Sequence, residues 1–322
     1  MSTEKAATTV LEGLRQRAAG LVVDTLIAAH RRLSPQRLAP LAELFGRLAY
    51  HLDVQGREQA LRNLRQTFRR AFTPADREAL VRALYRHLGL LAFEYAALLA
   101  RDDLRPYSRW VEMENLDPVH KALETHGNVI FAACHGGHFD LLGGRLAEEF
   151  PPLDVVMKPL DNPHLNERFV EVRHKLGMGV IAKRSALRSV VRRLRAGANL
   201  AITCDQRLRR RAVIARFFGR PAATLNTPAV LAIRFGIPVV PVFTWRSGGI
   251  LEYRGYAEEP IWADPAAPRD EEVLRITQAI NDAIERFVRA HPEQWDWRQL
   301  RWKLGQSVLS SARTHGAPER AA

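Results

Sequence analysis

From residue 128 onward, short apolar runs alternate with stretches of helical periodicity, and this alternation constrains the fold more than any other feature of the chain. Asn128 to Cys134 (NVIFAAC) is too short for a helix and rich in β-forming residues. LDVVMKPL (153–160), GVIA (179–182), NLAITC (199–204) and PVVPVFTW (238–245) are similar. Helical stretches lie between them, one from Ser185 to Gly197 and another starting at Thr227-Pro228 and stopping at Gly236. Residues 270–290 form a third. Buried strands alternating with helices predict an α/β fold, a mostly parallel central sheet covered by helices on both faces. ILEYRGY (250–256) is expected to add an antiparallel edge.

The first hundred residues read differently, as a helical layer. Residues 9–33 carry an apolar stripe of Leu11, Leu14, Ala18, Val22, Leu26, Ala29 and Leu33 in steps of three and four. Ser34 and Pro35 restart a helix as N-cap and first residue, with Leu38, Leu41, Leu44, Phe45, Leu48 and Leu52 as its apolar face. Leu61, Leu64 and Phe68 mark a third segment. Thr73-Pro74-Ala75-Asp76 is a capping box opening a long helix that reaches about Leu99. The organisation expected is an N-terminal helical region (1–105) packed on an α/β core (106–305), with a disordered tail at 306–322.

Composition narrows the function classes. At 47% apolar and 26% charged residues, the 322-residue chain is globular rather than disordered. Cys134 and Cys204 are too few for a disulfide scaffold. No signal peptide is read at the N-terminus. No run of 18 apolar residues exists, and the best candidates, Gly20–His30 and Leu88–Ala100, carry Asp24 and Glu94, so no membrane span is expected. The formal net charge of +13 points to an anionic partner: lipid headgroups, an acidic carrier protein or nucleic acid. The last has no recognition motif behind it, and the aromatic residues are not interleaved with the basic run, so a basic nucleic-acid-binding protein is the rival from another class.

Ligands of open α/β sheets bind beyond the carboxyl ends of the strands, and two predicted strands end in polar clusters. NVIFAAC runs into His135-Gly136-Gly137-His138-Phe139-Asp140, and NLAITC runs into Asp205-Gln206-Arg207. The His-x4-acid spacing of His135 and Asp140 is weak alone. Eleven histidines and 35 acidic residues in 322 give about one such pair by chance, and His291 with Asp296 is a second. His135 differs in sitting at a strand end beside two glycines, which allow close approach of substrate or backbone. A carboxylate on one imidazole nitrogen would fix the tautomer and leave the other nitrogen as a general base. Three other readings stand beside it: a metal held by His135, His138 and Asp140, a Cys134 nucleophile, and a structural histidine in a tight turn.

The stretch HGGHFD resembles the His-x4-acid box of the glycerolipid acyltransferase superfamily. More closely, the chain is similar to the bacterial late lipid A acyltransferases (lauroyl and myristoyl transferases) and their relatives that acylate phosphatidylinositol mannosides. The pieces come in the family's order over residues 40–304. They are RNL (62–64) with Glu94, then HGGHFD, then KPLDNPHLNERFVEVR (158–173). DQR (205–207) with FFGRPAATLNTPAVLA (217–232), GIPVVPVF (236–243) and HPEQWDWRQLRWK (291–303) follow. The chain departs from the pattern at His138-Phe139-Asp140, where lipid A enzymes commonly carry Asn-Trp-Glu.

The resemblance implies transfer of an acyl chain from a thioester on acyl carrier protein to a hydroxyl of a membrane glycolipid, without an acyl-enzyme, cofactor or metal; the alternative is the same chemistry on another lipid acceptor, an amino lipid, phospholipid or glycosyl-inositol lipid. His135 would be the base and Asp140 its orienting partner. Arg173 would stabilise the oxyanion, with the N–H groups of Gly136 or Gly137 as rivals. Lys158, Asp205 and Gln206 would bind or position substrate. Arg207, Arg209, Arg210 and Arg211, the head of a cluster continuing through Arg216 and Arg220, would touch anionic lipid or carrier protein. The helix at 9–33 could lie in the membrane interface. Trp295, Trp297 and Trp302 are open to either an interfacial or a core role. The expected location is peripheral, on the cytoplasmic face of the bacterial inner membrane, with anionic lipids as partners.

Overall fold

The computed structural model describes residues 2–69, 71–182, 186–208 and 212–304. The chain begins with four helices, α1 (Ser2–His30), α2 (Pro35–Leu52), α3 (Val54–Thr67) and α4 (Pro74–Ala100). There follow β1 (Val111–Met113), α5 (Asp117–His126), β2 (Ile130–Ala133), α6 (Phe139–Glu149), β3 (Leu153–Met157), α7 (Pro163–Lys175) and β4 (Met178–Ala182). The second half holds α8 (Ala186–Arg195), β5 (Asn199–Thr203), β6 (Val213–Phe217), β7 (Arg220–Thr224), α9 (Thr227–Phe235), β8 (Val239–Arg246), β9 (Tyr253–Ala257) and α10 (Arg269–Ala290). The expected tail at 306–322 lies outside the described residues.

The main sheet has seven strands in the order β1-β9-β8-β2-β5-β3-β4. Five neighbouring strands, β8 to β4, run parallel, and β9 is antiparallel to β8. ILEYRGY does supply the antiparallel strand but not the edge, because β1 pairs outside β9. FFGRPAAT (217–224) closes β6, makes the turn and supplies β7 of a separate two-stranded hairpin, β6–β7.

Alternate residues of β2 face opposite layers. Ile130 and Ala132 pack with Leu200 and Ile202 of β5, Val190 and Leu194 of α8, Leu231 of α9 and Ile284 of α10. Phe131 and Ala133 pack with Leu141 and Leu146 of α6 and Val172 of α7. The helix after β2 therefore lies on one face and α9, the first helix after β5, on the other. β2 and β5 are neighbours, so their carboxyl ends flank a point where the crossovers diverge.

α4 spans this end of the sheet and contributes to both layers, Leu84 and Tyr85 to one and Leu90 and Phe93 to the other. Its start is the predicted capping box, Thr73 Oγ1 accepting from the Asp76 N–H and Asp76 accepting from the Thr73 N–H at 2.8 Å. α2 lies on α4 with almost no separation: a Cβ on Gly89 would meet the Ala42 carbonyl oxygen at 2.4 Å. Pro35, Leu38, Ala42, Gly46 and Tyr50 are the buried face of α2. The expected face is thereby corrected. Leu38 belongs to it, but Leu41, Leu44, Phe45, Leu48 and Leu52 point outward. Small residues were what the close contact needed, and periodicity of large ones could not show that. In α1 likewise Ile27 is buried while Leu21, Val22 and Leu33 beyond its end are exposed.

Candidate active site

Registration of two neighbouring strands assembles the site. Ala133 of β2 stands beside Thr203 of β5, and the Cys204 N–H donates to the Ala133 carbonyl. Two residues further on in each strand, His135 and Asp205 meet. The Asp205 carboxylate accepts from the backbone N–H of His135 at 3.0 Å and lies 2.7 Å from its Nδ1. Since an ionised carboxylate only accepts, Nδ1 carries the proton, and Nε2 is left with the lone pair a base requires.

Asp205 is fully buried yet well provided with donors. The Trp295 indole N–H and the Gln299 amide reach its Oδ2 at 2.9 and 3.0 Å. Burial alone would raise this carboxyl; the charge of His135 and the hydrogen bonds outweigh it and hold the group far below the usual carboxylate range. For His135, burial would lower the imidazole, but the charge and hydrogen bond of Asp205 raise it above its ordinary value. A quarter of the His135 side chain is open to solvent. The amide nitrogen of the exposed Gln206 stands 3.3 Å from Nε2, and the Phe139 ring meets the imidazole edge-on.

Asp140, expected to orient His135, is turned elsewhere. It accepts from Arg173 Nε at 2.8 Å and Nη2 at 3.1 Å, and from the Tyr95 hydroxyl at 2.7 Å. The reason is helical geometry. Asp140 lies in the first turn of α6, beyond the left-handed Gly137, and faces α7 and α4 rather than back toward β2. This also corrects the role expected of Arg173. Two of its nitrogens are spent on Asp140, and the third lies against the Met157 sulfur. Of the rival donors, the Gly137 N–H is engaged, donating to the Gln294 carbonyl at 3.2 Å.

His135, His138 and Asp140 do not converge. His138 caps α6, its Nδ1 accepting from the Leu141 N–H, and its ring is buried between Tyr95 and Tyr253. Cys134 is buried, and burial pushes its thiol up, the opposite of what a thiolate nucleophile needs. The other His-x4-acid pair is separated: His291 stacks on Trp245 and Asp296 binds Arg298. Lys158 is exposed just past β3. Arg207 donates to the Lys303 carbonyl at 2.8 Å, and Arg220 lies over Trp302. Arg209, Arg210 and Arg211 lie outside the described residues. Trp295 and Trp297 are core residues.

Sequence reasoning missed a buried network beneath this loop. Glu94 of α4 receives both Arg246 terminal nitrogens, the Tyr253 hydroxyl at 2.6 Å and the Leu251 N–H. Arg246 also reaches His87 at 3.4 Å, and His87 Nε2 is 3.3 Å from the Gly137 carbonyl. Glu94 was visible as an acid inside an apolar stretch, a signal of pairing that gave no partner. Among the described residues no helix is long and apolar enough to cross a membrane.

The bacterial lipid A biosynthesis acyltransferase family model matches residues 16–304. The chain is 29% identical over 290 residues to the phosphatidylinositol mannoside acyltransferase of Mycolicibacterium smegmatis, covering 88% of this chain and 92% of that protein. It is 24% identical over 264 residues to the lipid A biosynthesis acyltransferase of Haemophilus influenzae, 79% of each chain. The lipid A biosynthesis myristoyltransferase of Escherichia coli is 24% identical over 266 residues, 82% of this chain and 80% of that one. A match across nearly the whole chain, on a fold whose two central strands bring a histidine and a carboxylate into contact, makes this protein an acyltransferase of the bacterial lipid A biosynthesis acyltransferase family.

Proposed function

We propose that the chain moves a fatty acyl group from an acyl-carrier-protein thioester to a hydroxyl of a membrane glycolipid, with His135 as general base and Asp205 as its partner. The observation that carries this reading is the 2.7 Å contact of His135 Nδ1 with buried Asp205, which leaves Nε2 as the basic atom at the open side. The acceptor hydroxyl gives its proton to Nε2 as its oxygen attacks the thioester carbon. The tetrahedral intermediate then collapses, the carbon–sulfur bond breaks, and the imidazolium returns the proton to the leaving thiolate. Asp205 favours the imidazolium formed between these steps, and such a base contributes roughly 10²–10⁴ in rate. The oxyanion donors in this reading are the Gln206 amide and the N–H groups of Phe139 and Asp140, which open α6 ahead of the Leu141 N–H that His138 caps and have no intrahelical acceptor. Asp140 and Arg173 act by holding α6 against α7.

The longer match and higher identity to the phosphatidylinositol mannoside enzyme favour a glycosyl-inositol lipid as the second reading of the acceptor. Peripheral attachment to the inner face of a bacterial membrane, where an acyl carrier protein is at hand, completes the proposal. The test is to incubate purified protein with an acyl-carrier-protein thioester and separate preparations of lipid A precursor and phosphatidylinositol mannoside, and to look for the acyl ester by mass spectrometry. Ester formation on one acceptor, abolished by His135→Ala in a protein that still folds, is the expected result. Near-wild-type turnover by His135→Ala overturns the mechanism, and ester on neither acceptor overturns the acceptor class.

A further inference from the structure

Among the described residues the outward face of α2 is largely uncovered, and only Phe45 leans back on the fold, its ring 6.2 Å from that of Phe93 in α4. Leu41, Leu44, Phe45, Leu48 and Leu52 recur at helical spacing along it, with exposures from 41% for Phe45 to 81% for Leu52. Leu33 before the helix and Val54 at the start of α3 are exposed as well. Monomeric soluble proteins rarely leave such a strip bare, and one that does marks a surface for another molecule or a membrane. The opposite face of α2 is fixed on α4, and α4 in turn holds the catalytic loop through His87 on Gly137 and Tyr95 on Asp140. The strip therefore sits on the same end of the molecule as His135.

Charge decides between occupants. Arg31 and Arg32 precede the strip, and Arg37 and Arg47 lie along it and at its flank. All four are exposed and make no ion pair among the described residues. Glu43, the acid of this helix, is on the far side and bound to Arg86 at 2.6 Å. A second copy of the chain would bring two rows of unpaired arginines together. An anionic lipid surface would satisfy the arginines with phosphates and the leucines with the acyl boundary.

We infer that α2 is an interfacial helix. It lies in the plane of an anionic phospholipid bilayer, with Leu41, Leu44, Phe45, Leu48 and Leu52 immersed and Arg31, Arg32, Arg37 and Arg47 at the phosphates. This deepens the proposed function by assigning the surface through which a lipid acceptor is reached, and it rests on that reading. It also moves the membrane contact away from the Arg207–Arg220 cluster and from the apolar stripe of α1.

The experiment uses the full chain and vesicles of phosphatidylcholine with or without phosphatidylglycerol. Wild type sediments with the anionic vesicles. Leu44→Gln/Phe45→Gln/Leu48→Gln keeps the wild-type melting temperature and loses roughly tenfold or more in partitioning. Arg37→Ser/Arg47→Ser loses the preference for anionic vesicles and its salt sensitivity. Turnover on detergent-dispersed acceptor stays unchanged in both, which separates this inference from the acyltransferase reading: absent turnover in wild type leaves the vesicle result to stand or fall alone. Wild-type partitioning by the triple variant overturns the inference. So does a concentration-dependent dimer in sedimentation velocity that the triple variant abolishes, because the strip is then a self-association surface.

Discussion

A carboxylate shut away from water stays ionised only if its neighbours hold it so, and Asp205 receives a ring N–H, a backbone N–H, an indole N–H and an amide N–H. The pair it makes with His135 ties stability to pH in a definable window. The raised imidazole stabilises the fold below its unfolded value, about 6.5, and that contribution is lost as pH rises through the folded value. The depressed carboxyl stabilises above about 3.9, and its contribution is lost as pH falls. Both act together between about pH 4 and 6.5, so the gap in melting temperature between wild type and Asp205→Asn should be widest there and should narrow as pH rises through the folded His135 value. A gap independent of pH would mean that the pair is not ionic. Asp140 is a different case. Asp140→Ala strands the buried Arg173 guanidinium, which typically costs about 3–5 kcal/mol, so its dominant effect should be a large fall in stability measured by denaturant unfolding.

Among the elements, α2 and α4 show how far pattern reading reaches. Both were foreseen, and the Thr73–Asp76 box placed the start of α4 to the residue. Which face of α2 would be buried was not legible, because periodicity shows that a helix is amphipathic and not what lies against it. The contact uses Ala42, Gly46 and Gly89, residues that carry no hydrophobic signal. Gly89→Val makes the point measurable. In an exposed helix the exchange would gain a few tenths of a kcal/mol in propensity. Here a side chain would run into the Ala42 carbonyl at 2.4 Å, so overpacking of about 1–3 kcal/mol should win and the melting temperature should fall. An unchanged or higher melting temperature would show that the helices can part freely. The strands were legible for the reason that buried parallel strands are apolar throughout. The ends of β2 and β5 were found as polar clusters following such runs. The pairing of His135 with Asp205 was not, because it spans 70 residues and depends on β5 lying beside β2, an order no local pattern encodes. The neighbouring acid five residues away was the visible partner, and helix α6 turns it away.

For the whole molecule, Glu94 is the joint between the helical layer and the sheet, since α4 meets β8 through Arg246 and β9 through Tyr253. All six tryptophans lie at residue 110 or beyond, so their fluorescence reports mainly the α/β core, with Trp297 meeting α3 through Phe68 and Asn63. If the layer and core are one cooperative unit, fluorescence and far-ultraviolet dichroism should give the same unfolding curve. Glu94→Ala should shift both together by several kcal/mol, because it leaves Arg246 buried and unpaired. Two separated transitions would show that the layer is an independent unit.

The pairing at the catalytic histidine is tested most directly by the pH dependence of acyl transfer in Asp205→Asn beside Asp140→Asn. Neutral imidazole is the active form, so wild-type kcat/KM should rise with pH through the raised His135 value. In Asp205→Asn the acid limb should move to lower pH and kcat should fall by roughly 10²–10⁴, whereas Asp140→Asn should keep the wild-type acid limb in whatever fraction remains folded. An acid limb that moves in Asp140→Asn and stays in place in Asp205→Asn would contradict the account.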